Sequence, residues 1–193
     1  DFFFFIINLQ GLLLHSLQMN SIGDVGRARE VFLLVGSDTD VGKTVFTGLL
    51  GKHLCLKGLR LHLAKPFCSG GRHDIDFHLS VLPNNDGPAE VNYWYNDEPI
   101  SPAAWELRTA KKVDFESCVE WVQNIEGGWL KEEWKGRVSL VEGVGGLLAP
   151  LANGRTVDSL GQALGSQLIV VAPNRVGVVN HVLLTAEAAL ARG

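Results

Sequence analysis

The sequence predicts an α/β fold, a parallel sheet with helices on both faces. Three observations lead there. Short apolar runs of strand character recur along the chain: "EVFLLVG" (30–36), "RLHLAK" (60–65), "RVSLVEG" (137–143) and "QLIVVAP" (167–173). Segments of helical periodicity lie between them, and strands that alternate with helices pair in parallel, buried on both faces. The first run passes directly into Gly42-Lys43-Thr44, so a strand feeds a glycine turn and then a helix.

Each element has its own local reason. From Lys43 to Lys57 the apolar positions Val45, Leu49, Leu50 and Leu54 recur at helical spacing, and Gly58 stops the helix. "RLHLAK" is the second strand, followed by a loop, "PFCSGGRH", and a short helix over 74–82. The segment 83–100 is polar and turn-rich and reads as surface. Ser101-Pro102 starts a helix, with serine at the N-cap and proline in the first turn. Asp114 caps another helix, in which Phe115, Cys118, Val119, Val122 and Ile125 form one apolar stripe that ends at Gly127-Gly128. Asp158 reads as a further helix cap, and a helical pattern fills 178–192.

A chain of 193 residues, 46% hydrophobic and 20% charged, is one globular domain with a substantial core. A net charge of -4 without a basic block excludes a nucleic-acid footprint. Three cysteines without CxxC spacing fit neither a disulfide framework nor a zinc site, and point to a reducing, cytoplasmic setting. The first eighteen residues are apolar but interrupted by Asn8, Gln10, Gly11 and His15, which argues against a membrane span. Met19 is read as the start and residues 1–18 as translated upstream sequence, with a genuine anchor or leader as the alternative, and 19–193 as one domain cut short after its last helix.

The chemistry is carried by three stretches. Gly42-Lys43-Thr44, between strand and helix, forms a phosphate-binding P-loop: helix N-terminal amides meet phosphate, Lys43 reaches the terminal phosphates and Thr44 can ligate Mg²⁺. Ser37 stands where the usual spacing has its first glycine, and Gly36 comes one place early. "LVEGVGG" (140–146) ends a strand on Glu142, the usual place for a metal-associated carboxylate beside a P-loop. "KPFCSGGRHDID" (65–76) ends the strand expected next to the P-loop strand, so Lys65 faces the same crevice. There Ser69 offers a hydroxyl, and Asp74 or Asp76 a second carboxylate. His53, His62 and His78 read as half-buried or surface residues, and Cys68 as a packed loop thiol. His181 follows Asn180, an ordinary capping residue at a helix start, and the five tryptophans form no stacking platform.

Together the motifs resemble the dethiobiotin synthetase family. "GSDTDVGKT" departs from the family's G-T-D-T-x-V-G-K-T only at Ser37; "KPFCSG", "VEGVGG" followed by "LLAPL", and "GVVNHVLLT" (177–185) follow in the family order. The resemblance implies an ATP- and Mg²⁺-dependent cyclo-ligase of biotin biosynthesis, acting on 7,8-diaminononanoate and CO₂ or bicarbonate. It implies Lys65 and Lys43 as catalytic cations and Thr44, Asp74 and Glu142 as Mg²⁺ ligands. Asp40, Val41, Gly42, Lys43, Thr44 and Val45 would surround the nucleotide, with Asp74 and Glu142, Gly143, Val144 and Gly145. Thr39 and Ser69 would hold the substrate, and Gly145 and Asn180 would reach it from the partner in a homodimer. It also implies an adenine pocket built from residues beyond the last helix. Asp38 and Asp40, in a loop meant for phosphate, are expected to attract the cationic diamine and to help hold the metal through its water shell.

Two other classes fit less well. A P-loop amide ligase of the kind acting on corrinoid acids would lack "KPFCSG" together with "VNH". A partition-type switch ATPase would carry a second lysine where this chain has Ser37 and Asp38.

Overall fold

The computed structural model describes residues 2–7, 29–81, 91–128 and 137–192. The main sheet has the order β1-β7-β2-β6-β3, formed by β1 (Phe2–Ile7), β2 (Arg29–Gly36), β3 (Arg60–Ala64), β6 (Arg137–Gly146) and β7 (Gln167–Pro173). β3, β6, β2 and β7 run parallel, as the alternation of strands and helices requires. β1, to which the sequence reading assigned no strand, pairs antiparallel with β7 at the edge. A second, two-stranded sheet joins β4 (Phe67–Ser69) to β5 (Trp94–Asn96).

The helices are α1 (Lys43–Leu56), α2 (His73–Val81), α3 (Pro102–Thr109), α4 (Phe115–Gly128), α5 (Val157–Leu164) and α6 (Val178–Arg192). Period-two alternation divides the core between the sheet's two faces. Val31, Leu33 and Val35 of β2 pack with Val141, Val170, the α4 stripe and Val157, Leu160 and Leu164 of α5. Leu34 points the other way, into a cluster with Leu140, Leu63, Ile169 and Leu54 of α1. Burial of these side chains, about 1.5–3 kcal/mol each, is what holds the layers together.

Several local readings hold. Ser101 caps α3, accepting the Ala104 N–H at 3.2 Å, and Asp114 accepts the Ser117 N–H at 3.0 Å. Phe115, Cys118, Val119 and Val122 are buried as the stripe requires.

Others are corrected. Residues 67–69 and 94–96, read as loop and surface, form the small sheet, whose Phe67 and Trp94 rings lie 6.4 Å apart and extend through Trp94 to Trp105. That pairing joins segments too short to show a period. Residues 83–90 of the predicted surface segment, Leu82 at the end of the predicted short helix, Trp129, Trp134 and Met19 lie outside the described residues. Thr156 occupies the N-cap position of α5, and Asp158 lies within the first turn, paired with Arg192 at 3.4 Å. Asn180 is likewise inside α6 rather than capping it. The strand before Lys65 is not beside the P-loop strand: β6 pairs with both and separates them. Succession along the chain does not set neighbourhood in a sheet whose connections cross over.

Candidate active site

The P-loop is shaped by two backbone positions. Gly42, the residue before α1, has φ 89°, a left-handed turn that suits glycine and starts the helix abruptly. At Gly36 a Cβ atom would lie 2.2 Å from the Asp38 carbonyl oxygen and 3.1 Å from Lys43 Nζ, so the loop folds back over the end of β2 only because no side chain is there. Asp40 is also left-handed, at φ 55°. Val41 is buried in the α1-side core and pins the loop, while Thr39 and Asp40 stay exposed and Val45 is exposed on α1.

Behind the loop lies a buried ionic cluster. Lys65, which follows β3, is 2% exposed and Glu142, within β6, is 1% exposed. The Lys65 ammonium lies 2.6 Å from Glu142 Oε1 and 2.8 Å from Asp74 Oδ2. Thr44 Oγ1 donates to the same Glu142 oxygen at 2.9 Å. Three of the expected groups thus converge on Glu142 or on its lysine, from α1, α2 and the end of β3. Asp74 and Asp76 are separated by this geometry: Asp76 points away and pairs with Arg72 at 3.8 Å.

Electrostatics follow from burial and pairing. Burial alone would push the Glu142 carboxyl up, but the Lys65 ammonium and a hydrogen bond with His78 outweigh it and hold it at about 2. Burial likewise opposes the Lys65 charge, and the two carboxylates overcome it, raising its pKa. Lys43 has no such surplus. Burial, then the like charge of Lys65, lowers its pKa despite the nearby acids, which suits a lysine awaiting phosphate.

His78 departs from the sequence reading. It is completely buried, its Nε2 2.7 Å from Glu142 Oε2. No motif contains it; the available signal was its position four residues after Asp74, on one face of α2. His62 is buried as well, on the central part of β3, whereas His53 is half-buried as read. Cys68 is the packed thiol expected: burial pushes it up to about 11, far from a thiolate.

A groove of about 370 Å³ adjoins the loop, lined by Ser37, Asp38, Thr39, Leu147, His181 and Leu184 among others. Ser69, half-buried, keeps its hydroxyl without a partner among the described residues. Asp38 is tied to the Thr39 N–H at 2.8 Å and to Arg175 at 2.9 Å, which together hold its carboxyl below the usual range. Gly145, at φ 68°, is half-buried at the end of β6, beside the half-buried Val144 and the buried Gly143. Asn180 is exposed on α6 and takes no part in the cluster.

A parallel sheet, a glycine-lysine-threonine turn at a helix start and a strand-end acid beside it define a P-loop nucleotide-binding protein. The comparisons agree: the family described as "AAA domain" matches residues 30–193. The chain is 31% identical over 159 residues to the ATP-dependent dethiobiotin synthetase of Methanococcus vannielii, covering 81% of this chain and 71% of that one. To the protein of the same name from Anaeromyxobacter it is 35% identical over 164 residues (83% and 70% covered), and to that of Bacillus subtilis 31% over 165 (84% and 69%). The chain belongs to the ATP-dependent dethiobiotin synthetase family.

Proposed function

We propose that this chain is the cyclo-ligase that forms dethiobiotin in biotin biosynthesis, using ATP to close a ureido ring on 7,8-diaminononanoate and CO₂. The observation that carries the reading is the meeting of Lys43, Thr44, Lys65, Asp74 and Glu142 at the P-loop end of the sheet, in a chain of this family. One amine adds to CO₂ and loses a proton, giving a carbamate. A carbamate oxygen attacks the γ-phosphorus and ADP departs. The second amine then attacks the carbonyl carbon of the mixed anhydride and loses a proton, and phosphate leaves as the ring closes.

The chain's part is charge and position, the main work of phosphoryl transfer. Asp40 to Val45 cradle the nucleotide, and Lys43 meets its terminal oxygens. Lys65 balances the carbamate and the transferring group, and Thr39 and Ser69 hold the substrate. A hydroxyl and two carboxylates form an all-oxygen donor set, the kind that suits Mg²⁺, so Thr44, Asp74 and Glu142 are its ligands in this reading. When bound, Mg²⁺ neutralises phosphate charge. A second copy covers the apolar side chains Val179, Leu183, Leu184 and Leu148, which stand exposed on α6 and beside the groove, and brings Gly145 and Asn180 to the substrate. No helix among the described residues is long and apolar enough to cross a membrane, and we place the enzyme in the cytoplasm.

The test is ADP release from Mg-ATP with and without diamine and bicarbonate, with Lys43→Ala as the blank. ADP that forms only when both are present supports the ligase; ADP that ignores the diamine overturns it.

A further inference from the structure

His78 has no exposed surface and lies in none of the motifs, yet it touches the most deeply buried acid of the site. Asp74 and His78, one turn apart on α2, grip the Lys65–Glu142 pair from the same side: Asp74 takes Lys65, and His78 takes Glu142. The result is a division of labour between the two Glu142 oxygens. Oε1 receives Lys65 at 2.6 Å and Thr44 at 2.9 Å, whereas Oε2 meets only His78 Nε2, at 2.7 Å, among the described hydrogen bonds.

An ionised carboxylate accepts and cannot donate, so Nε2 carries the hydrogen and gives it to Oε2. The ring has little freedom to move. It sits beside Ile75, which is also wholly buried, and its centroid lies 6.3 Å from that of Phe77. With Lys65 and Thr44 on Oε1, a donor on Oε2 completes the hold on the carboxylate's last torsion, which is otherwise broad, and keeps Oε2 on the His78 side.

We propose that His78 is a positioning residue that pins Oε2 of Glu142 and so presents Oε1 alone on the Thr44 side, where the divalent cation is held. The inference rests on the metal reading above. It also sets cation choice. Mg²⁺ demands a compact octahedron with single-oxygen ligands, whereas Ca²⁺ accepts more ligands, including carboxylates that bind through both oxygens. Freeing Oε2 therefore removes a bias toward the smaller ion.

Two measurements test this on the full chain. The first is ¹⁵N NMR of histidine-labelled wild-type protein without nucleotide or metal. The His78 ring is expected to carry its hydrogen on Nε2; a bare Nε2 with hydrogen on Nδ1 overturns the proposal. The second follows a fluorescent non-hydrolysable ATP analogue as Mg²⁺ or Ca²⁺ is titrated, in wild type, His78→Leu and His78→Gln. His78→Leu is expected to need about 10–100-fold more Mg²⁺ and to lose preference for Mg²⁺ over Ca²⁺. His78→Gln, whose amide can still donate, is expected to stay within about threefold of wild type. A folded His78→Leu protein with the wild-type titration, or a His78→Gln protein as impaired as His78→Leu, refutes the role. Should His78→Leu fail to fold, the glutamine variant and the NMR decide. Wild-type protein that binds the analogue without any divalent cation would sink the metal reading and the cation role with it, while the NMR would still judge the Glu142 contact.

Discussion

Lys65→Met removes the ammonium at the centre of the cluster while keeping most of the side chain's length. Lys65 and Glu142 are 2% and 1% exposed and 2.6 Å apart, so no water replaces the lost partner directly. Breaking one half of a buried pair costs about 3–5 kcal/mol, because the surviving charge stays buried. Linkage gives the same sign: against burial, the Lys65 ammonium and the His78 hydrogen bond hold Glu142 at about 2 rather than an ordinary 4.5, so losing the ammonium removes stability at neutral pH. For a chain of this size the melting temperature should fall by about 6–20 °C.

The pH dependence carries a sign. A depressed carboxyl contributes stability that is full above its unfolded value, near 4.5, and is lost as pH falls through its folded value, about 2. In the variant, burial acts on Glu142 without the ammonium and raises its pKa. Protonation then relieves the penalty, so the difference from wild type should shrink as pH falls from about 7.5 to about 5. The assay is urea unfolding followed by circular dichroism at both pH values, with Glu142→Gln and the double variant closing a cycle. A coupling of at least about 2 kcal/mol is expected. A cost under about 1 kcal/mol at the higher pH, or an equal cost at both, would refute the view of Lys65 as the counter-ion of a desolvated Glu142.

Three further outcomes are expected. Thr44→Val keeps shape but loses the hydroxyl 2.9 Å from Glu142, and should raise the Mg²⁺ needed for half-maximal ADP release by about 10–100-fold; an unchanged requirement would remove Thr44 from the ligand set. Gly36→Ala places a Cβ atom 2.2 Å from the Asp38 carbonyl, and calorimetry should show nucleotide affinity lowered by at least about tenfold with the circular dichroism unchanged; wild-type affinity would mean the loop opens freely. Asp38→Asn and Asp40→Asn should raise the diamine KM, with the smaller effect at Asp38, which Arg175 already counters at 2.9 Å. If KM and the Mg²⁺ requirement are unmoved in both, the acids have another purpose.

What could be read directly was whatever is local in the chain. The 167–173 strand and the 178–192 helix have the bounds their patterns predicted, because apolar periodicity and turn residues act within one element. The P-loop was legible for the same reason: strand, glycine and helix are contiguous, so their contacts need no long-range information. β4 and β5 were not, since three-residue strands carry no period and owe their pairing to distant partners.

The sequence by itself determined the fold class, the P-loop and the family, because motif order and spacing survive in one dimension. Only the tertiary structure decided which groups meet. Lys65 and His78 reach Glu142 across 77 and 64 residues, through a sheet in which β6 separates β2 from β3. That order, with α2 seated against α1, engages Asp74 rather than Asp76 with Lys65 and turns a histidine read as half-buried or surface into a buried partner of the central acid. The physical reason is that desolvation and hydrogen bonding depend on distances through space, which spacing along the chain does not encode.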